Sequence, residues 1–537
     1  MQHAKLLDCT LRDGAYLVDK EFGDPVIKGI VAGLVKSRID FVEIGFLQND
    51  GFGEGKTVFK NAADAARFVP NNHGDTIFTV LADYSRYDVE NLDKNPGNSF
   101  DAVRACFFKH ERYDVIDFCK KITEKGYKVF VQPVDILGYS DEEIIELLRL
   151  VSSVDPYCVS IVDTFGSMYQ EDLERLFHLL NHNLPVECKI GFHSHNNMQM
   201  SSALSQAFLR MSYGHRDVVV DATLSGMGRG AGNTPTELVA EYMVSKLRYN
   251  YDMDAMLDVI DTFMPGIKAR CSWGYNTPMF IAGAYSSHVN NIAYLLNKNC
   301  VDSKGMRYIL NKIGAISRKR YDYDLLEQTY LDYVSTEYDD SKDIALLKEK
   351  MAGKNILVVA PGPSSVTCSN QIEEYRVQSE NTVVVSVNFI PDNLKTDYVF
   401  ISNVNRFFYW KNSKKFDAIP KIVTSNVMKK RSEDTYIASY PRVIKCGWEN
   451  MENAAILLLR LLDCLEVNSI ALAGFDGYEY EQSSHKNYAQ TNLELAGAFE
   501  HAVTVNREIT EMLEDYINTR KSRAPIVFVT PSRFDNN

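Results

Sequence analysis

The stretch Val129-Phe-Val-Gln-Pro-Val134, followed by Asp141-Glu-Glu-Ile-Ile-Glu-Leu-Leu-Arg-Leu-Val151 and Cys158-Val-Ser-Ile-Val-Asp163, reads as a strand, a helix and a second strand. The outer runs are short, apolar and rich in β-branched residues, which suits strands covered on both faces. The middle run places apolar residues at i, i+3, i+4 and i+7 behind Ser140, a residue able to cap the first turn, so the spacing predicts a helix. The same rhythm continues outward. Further strand candidates are Lys5–Leu11, Phe41–Phe46, Ile77–Ala82, Ala102–Phe108, Lys189–His193 and Val218–Ala222. Eight strands spaced 25–36 residues apart, most separated by helical periodicity, predict a (β/α)8 TIM barrel. An open doubly wound sheet is the rival, but it rarely needs eight such even repeats.

Beyond residue 250 the strand pattern vanishes. Asp254–Met264, Ala282–Leu296 and Gly305–Ile313 read as helices, and Tyr321–Asp343, rich in Tyr and Asp, is expected to end in a linker. A second α/β pattern starts at Ile356-Leu-Val-Val-Ala360. It continues with strand candidates Val383–Val387, Tyr398–Ile401, Ile422–Thr424, Ile470–Ala473 and Ile526–Val529 and a helix Ala454–Leu465. The expected organisation is a barrel over 1–250, a helical extension over 251–345 and a doubly wound, Rossmann-like α/β domain over 346–537.

Composition narrows the function. The 537 residues are 45% hydrophobic and 24% charged, with 58 Lys and Arg against 71 Asp and Glu, a net charge of −13. Such an acidic chain is not built to coat a nucleic-acid polymer or an anionic membrane face. No stretch approaches the roughly 18–20 apolar residues of a membrane span. The N-terminus has no signal-peptide pattern, and the ten cysteines show no Cys-x-x-Cys spacing. A reducing cytoplasm is the expected setting, and a homo-oligomer the expected assembly.

In a (β/α)8 barrel, chemistry sits at the C-terminal ends of the strands. The first strand runs into Asp8-Cys-Thr-Leu-Arg-Asp-Gly14, which brings Arg12 and Asp13 to the rim. The seventh ends in Gly191-Phe-His-Ser-His-Asn-Asn197. His193 and His195 are two apart, so on a strand both point to one face. Two imidazoles and the Asp13 carboxylate make a facial set that suits a catalytic divalent ion, Mn²⁺ foremost, with Mg²⁺, Fe²⁺, Co²⁺ or Zn²⁺ as alternatives. Glu43 near the end of the second strand is expected to support Arg12 or a metal-bound water. The eighth strand enters Gly226-Met-Gly-Arg-Gly-Ala-Gly-Asn-Thr-Pro-Thr-Glu237, a bending loop before a helix capped by Asn233 or Thr234. That helix N-terminus would welcome an anionic group of the substrate. Lys109 is placed at a strand end where a Schiff-base aldolase would need it, but that chemistry leaves the metal set without a task.

Taken together, Asp8-Cys-Thr-Leu-Arg-Asp-Gly, Glu43-Ile-Gly-Phe, His193-Ser-His-Asn and Gly230-Ala-Gly-Asn-Thr-Pro-Thr-Glu resemble the DRE-TIM metallolyases. That superfamily includes 3-hydroxy-3-methylglutaryl-CoA lyase, 2-isopropylmalate synthase and 4-hydroxy-2-oxovalerate aldolase. The resemblance covers residues 4–300 and is nearest the aldolase branch, through Asp163-Thr-Phe-Gly-Ser-Met168 and Ala282-Gly-Ala-Tyr-Ser-Ser287. It implies that Asp13, His193 and His195 hold the metal and that Arg12 stabilises an enolate oxygen. It also implies that Thr164, Tyr285 and Asn233 serve the substrate, Asn233 at or near the metal. The activity implied is cleavage or formation of a carbon–carbon bond between a 2-oxo acid and an aldehyde through a pyruvate-type enolate. One position departs: the aldolase branch carries His in the slot of the catalytic base, where this chain has Tyr16. The phenol, with an ordinary pKa near 10, becomes a base only if the metal lowers it. Otherwise a water or another residue carries the proton.

In the C-terminal region Ala360-Pro-Gly-Pro-Ser-Ser365, Asn388, Gly474-Phe-Asp-Gly-Tyr478 and Ser484-His-Lys-Asn487 resemble, over 353–535, the bacterial sialyltransferase-like nucleotide-binding fold, which also occurs in surface-polysaccharide pathways. This implies nucleotide or nucleotide-sugar contact at Gly362, Ser364 and Asn388, with His485 as a candidate base. Two other whole-chain readings stay open. One is a bifunctional aldolase and glycosyltransferase-like enzyme; the other is an inactive barrel used as a scaffold.

Overall fold

The structure is a computed structural model, described over residues 3–298, 301–448, 450–480, 487–490 and 501–535. It divides into two compact units. One comprises Met1–Ile292 with Gly314–Tyr321, the other Ala293–Ile313 with Asp322–Asn537.

Eight parallel strands close the first unit: β1 (Ala4–Asp8), β2 (Phe41–Leu47), β3 (Ile77–Asp83), β4 (Ala102–Phe107), β5 (Lys128–Pro133), β6 (Cys158–Asp163), β7 (Lys189–Ser194) and β8 (Val218–Ala222). Each pairs with the next. β8 returns to β1 in the register Leu7↔Asp221, and β1 pairs β2, so no edge remains. A short strand, Val58–Phe59, adds to β2. The helix expected behind Ser140 spans Asp141–Ser152. Ser140 Oγ accepts from Glu143 N at 3.3 Å, and Glu143 returns the bond to Ser140 N at 2.8 Å, a capping box. β1 stops at Asp8, short of the expected Leu11, because the chain turns there: Arg12 N and Asp13 N both donate to Cys9 O.

Alternation sorts the side chains. Leu6, Val218 and Val220 face the helices, while Leu7, Phe41, Ala102, Phe130, Cys158 and Val219 fill the barrel interior. Two residues further along the same inward rows stand Glu43, Arg104 and Asp221, all buried. The interior is therefore apolar at one level and charged at the next, toward the C-terminal mouth.

The helical region departs from expectation in two places. Ala282–Leu296 is two helices, Thr277–Ala284 and Val289–Leu296, broken where Ser286 takes a positive φ of 47°. The first part of Tyr321–Asp343, the stretch expected to end in a linker, is the helix Tyr323–Val334, capped by Asp322 and burying Leu326, Tyr330 and Val334. Its 3.6-residue apolar spacing was masked by the density of Tyr and Asp.

Among the described residues the second unit carries seven parallel strands: β9 (Asn355–Val359), β10 (Thr382–Val387), β11 (Tyr398–Ile401), β12 (Lys421–Thr424), β13 (Thr435–Ala438), β14 (Ser469–Ala473) and β15 (Ile526–Phe528). Their order is β13-β12-β11-β10-β9-β14-β15. β13 was not anticipated from sequence; Thr435-Tyr-Ile-Ala is too short to stand out. The chain winds outward from β9 to β13 and then resumes on the other side at β14. The gap between β9 and β14 is thus the switch point where doubly wound sheets hold ligands. The helix expected over Ala454–Leu465 closes earlier, at Leu462.

Candidate metal centre

Asp13, His193 and His195 offer one ligand atom each, and these atoms lie within 4.8 Å of one another. Asp13 Oδ2 is 3.4 Å from His193 Nε2, and Asp13 Oδ1 is 3.8 Å from His195 Nε2. The Nδ1 of each imidazole is occupied elsewhere. His193 Nδ1 meets Asp221 Oδ2 at 3.1 Å, and His195 Nδ1 meets the carbonyl of Asp163 at 3.0 Å. With Nδ1 engaged on the outer side, both Nε2 atoms turn toward Asp13, the arrangement by which metal-ligating histidines are oriented.

The surroundings form one chain of charge. Arg12 donates Nε to Glu43 Oε2 at 2.7 Å and Nη1 to Asp13. Arg104 donates to the same Glu43 oxygen at 3.0 Å and to Asp221. Asp221 closes on His193. Three carboxylates face two guanidinium groups in a buried cluster, which leaves one uncompensated negative charge. Burial alone would push the Asp13 carboxyl up, but Arg12 and the two imidazoles hold it well below its ordinary value. Burial likewise works against a charged His193, yet Asp13 and Asp221 raise its pKa, whereas burial lowers that of His195. The donor set fits a divalent cation: two imidazole nitrogens and an ionised carboxylate converge, and a positive ion offsets the surplus charge. Asn233 adds to the fit. It is buried and bridges to His195 in the backbone, and its Nδ2 donates to Met227 O at 3.0 Å. Its Oδ1 has no partner among the described residues.

Tyr16 lies three residues beyond Asp13, edge-on to Phe46, with the Arg229 guanidinium 4.1 Å above its ring centre. Burial pushes its phenol up, although Arg229 and Arg12 oppose this. A phenol so placed keeps its proton. Thr164 is half-buried, and its hydroxyl accepts from Asp135 N at 2.7 Å. Tyr285 is half-buried beneath the Arg318 guanidinium, 5.2 Å from its ring centre. Lys109 pairs with Glu143 and donates to Gly138 O at 3.0 Å, so its nitrogen is engaged rather than free to form a Schiff base. The helix after the glycine loop starts at Thr236, with Pro235 rather than Asn233 or Thr234 at the cap. Pro235 has no side-chain acceptor, and Thr236 turns to Asp8 at 2.6 Å. Glu237 in its first turn accepts from Ser225 N.

Arg104 and Asp221 escaped the sequence reading. The available signal was a lone charge at an inward position of an apolar strand: Ala102-Val-Arg-Ala and Val218-Val-Val-Asp.

In the second unit a cleft with an empty volume of about 1000 Å³, its open mouth included, lies at the β9–β14 switch point. Gly362 and Asn388 line it, together with Ser402, Asn403, Arg406 and Tyr488. Asn388 has a positive φ of 57° and its Oδ1 accepts from Ser402 N. Ser364 is already engaged: its N–H donates to Asp476 Oδ2 at 2.7 Å and its hydroxyl contacts Asp476 and Thr530. His485 lies outside the described residues.

The barrel region is similar in sequence to known proteins. Residues 3–262 match the family model described as HMGL-like. An oxaloacetate decarboxylase of Mycobacterium tuberculosis is 29% identical over 268 residues, 49% of this chain and 76% of that protein. A 4-hydroxy-2-oxovalerate aldolase of Carboxydothermus hydrogenoformans is 26% identical over 332 residues, 58% of this chain and 92% of that protein. Among solved structures, an HMG-CoA lyase from Brucella melitensis gives a TM-score of 0.40 at 14% identity, covering 50% of this chain and 100% of that one. The match to the HMGL-like family, residues 3–262, spans all eight barrel strands and the whole Asp-His-His cluster.

Proposed function

We propose that the barrel is a divalent-metal-dependent carbon–carbon lyase that cleaves or forms a 4-hydroxy-2-oxo acid through the enolate of pyruvate. The observation that carries this is the Asp13–His193–His195 cluster at the mouth of the barrel, backed by the Arg12–Glu43–Arg104–Asp221 chain. A divalent ion held there, Mn²⁺ for preference, would supply the Lewis acidity that polarises a 2-oxo acid. Arg12, fixed by Glu43, donates to the enolate oxygen as charge develops on it. In cleavage the 4-hydroxyl loses its proton to water at the rim. The C3–C4 bond breaks, its electron pair passes into the enolate, and the aldehyde carbonyl forms. Protonation of the enolate at C3 gives pyruvate. Tyr16 acts as a hydrogen-bond donor to the aldehyde oxygen, the role that a phenol pushed up by burial can fill. Asn233 Oδ1 is assigned to the metal or the 2-oxo acid head, and Thr164 and Tyr285 to the walls of the substrate site. The names of the relatives support the choice of enolate. Loss of carbon dioxide from oxaloacetate and cleavage of 4-hydroxy-2-oxovalerate both generate the enolate of pyruvate.

Exchange of the pyruvate methyl protons into D₂O tests the reading without knowledge of the aldehyde. Mn²⁺-loaded protein is expected to catalyse exchange, and Arg12→Ala to slow it about 10²–10³-fold, the scale of a lost oxyanion donor. Exchange unaffected by a strong chelator would refute it, and complete absence of exchange would favour the scaffold reading.

The cleft supports a second reading, that the C-terminal unit binds a nucleotide or nucleotide sugar at the crevice lined by Gly362 and Asn388. Calorimetric titration with CMP, UMP and AMP tests it; no heat and no change in melting with any of them would remove it.

A further inference from the structure

We infer that Arg229 reads an anionic group, carboxylate or phosphate, on the aldehyde-derived half of the substrate, so that the barrel acts on 2-oxo acids negatively charged at both ends. This rests on the lyase reading above and adds the chemistry of the second fragment.

The argument begins with the arginines of the mouth. Arg12 and Arg104 are each paired with two carboxylates. Arg229 is half-buried, and among the described residues its side chain has neither an ion pair nor a hydrogen bond. A guanidinium partly shielded from water and without a counter-charge is free to pair with an anion, and an acidic chain with net charge −13 had many carboxylates to offer it. Its position is fixed. The next residue, Gly230, has a positive φ of 68° and packs so closely on Asn197 and Val289 that a side chain there would collide. Ala231 N donates to Asn197 Oδ1 at 3.0 Å. The guanidinium is thereby laid over Tyr16, three residues from the metal ligand Asp13.

A neighbour is a donor as well. His288 Nδ1 accepts from Asn290 N at 3.1 Å, so Nε2 carries the hydrogen. Burial, with Arg229 and His195 adding to it, pushes that imidazole down to about 4 and keeps it neutral. A planar cation stacked on an aromatic ring, with a neutral imidazole near enough to feel its charge, is a set that recognises carboxylate or phosphate oxygens. Arg12 and the Asp-His-His cluster are committed to the 2-oxo acid head, which leaves Arg229 for the other end.

Non-reacting ligands give a test that does not depend on turnover. With Mn²⁺-loaded protein, 2-oxoglutarate is expected to bind at least about tenfold more tightly than 2-oxopentanoate, the scale of one charge-assisted hydrogen bond. Arg229→Met should bring the ratio of the two dissociation constants close to one, and Arg229→Lys should keep part of it, a pattern that mere loss of packing would not produce. Equal affinities in the wild type, or a ratio that survives in Arg229→Met, overturn the inference. Aldol synthesis from pyruvate with succinic semialdehyde, glyceraldehyde 3-phosphate and butanal then identifies the group. The better of the two anions names it, and butanal ahead of both overturns the inference. If pyruvate methyl exchange proceeds while the affinity ratio is flat, the inference alone fails. If exchange is absent and neither 2-oxo acid binds, the lyase reading fails and takes this inference with it.

Discussion

The barrel mouth and the switch-point cleft both sit at the C-terminal ends of parallel strands, yet they are furnished differently. The mouth gathers two arginines, two acids besides Asp13, and two histidines, all buried except the half-buried His195 and joined side chain to side chain. The cleft is lined largely by amides, hydroxyls and tyrosines, with Arg406 and the acids Glu452 and Asp476, the latter bonded by Ser364. Buried charge has a large desolvation cost that only an exact partner offsets, so the mouth holds its geometry rigidly and asks for one more cation. Neutral polar groups are cheap to leave in contact with water, so the cleft tolerates being open. Chemistry that needs a fixed ion belongs to the first setting, and exchangeable binding of a small molecule to the second.

The contrast can be broken most forcefully at Glu43. Glu43→Leu leaves Arg12 and Arg104 facing each other without their shared carboxylate, and a loss of about 3–5 kcal/mol of barrel stability is expected in urea denaturation. A loss within about 1 kcal/mol would mean that the network is ornamental. Next in size, His195→Ala should weaken Mn²⁺ binding by more than about 100-fold with the fold intact by circular dichroism. Asp221→Asn, at a residue that orients His193 and pairs with Arg104 without facing the ion, should cost about 10–100-fold. If the two variants bind Mn²⁺ equally well, the distinction between ligand and support dissolves.

Asp8 sharpens the picture through pH. It is buried beneath the mouth, bonded by Thr10 N and Thr236 Oγ1, and burial pushes its carboxyl up from 3.8 to about 6. A carboxyl whose pKa is higher in the folded state contributes stability when protonated. That contribution is complete below pH 4 and is lost as pH rises through 6. Asp8→Asn should therefore remove a fall in stability between pH 4 and 6 and be more stable than the wild type above pH 6, by about 1–3 kcal/mol. Parallel stability–pH curves for the two proteins would show that Asp8 ionises at no cost. The smallest effect is expected in the cleft, where Asp476→Ala exposes Ser364 to water and should cost about 0.5–1.5 kcal/mol.

Much of this was legible in the chain. The strand–helix rhythm found all eight barrel strands because strands buried on both faces are apolar throughout, and the Ser140 cap is local chemistry. His193 and His195 could be paired from spacing alone, since alternation along a strand is a local property. Asp13 was legible only by its place after the first strand. Tyr323–Val334 was missed because its buried stripe of Leu326, Tyr330 and Val334 is diluted by exposed Tyr and Asp.

The sequence by itself determined the fold class and two of the three side chains of the Asp-His-His cluster, because period-2 and period-3.6 patterns act over a few bonds. Only tertiary structure decided which charge meets which. Closure of the sheet sets Leu7 beside Asp221 across more than 200 residues and delivers Asp221 to both Arg104 and His193. The turn at Cys9 swings Asp13 over β7, and the packing of Gly230 on Val289 lays Arg229 over Tyr16. Such meetings depend on register and loop path between distant segments, which no local pattern encodes.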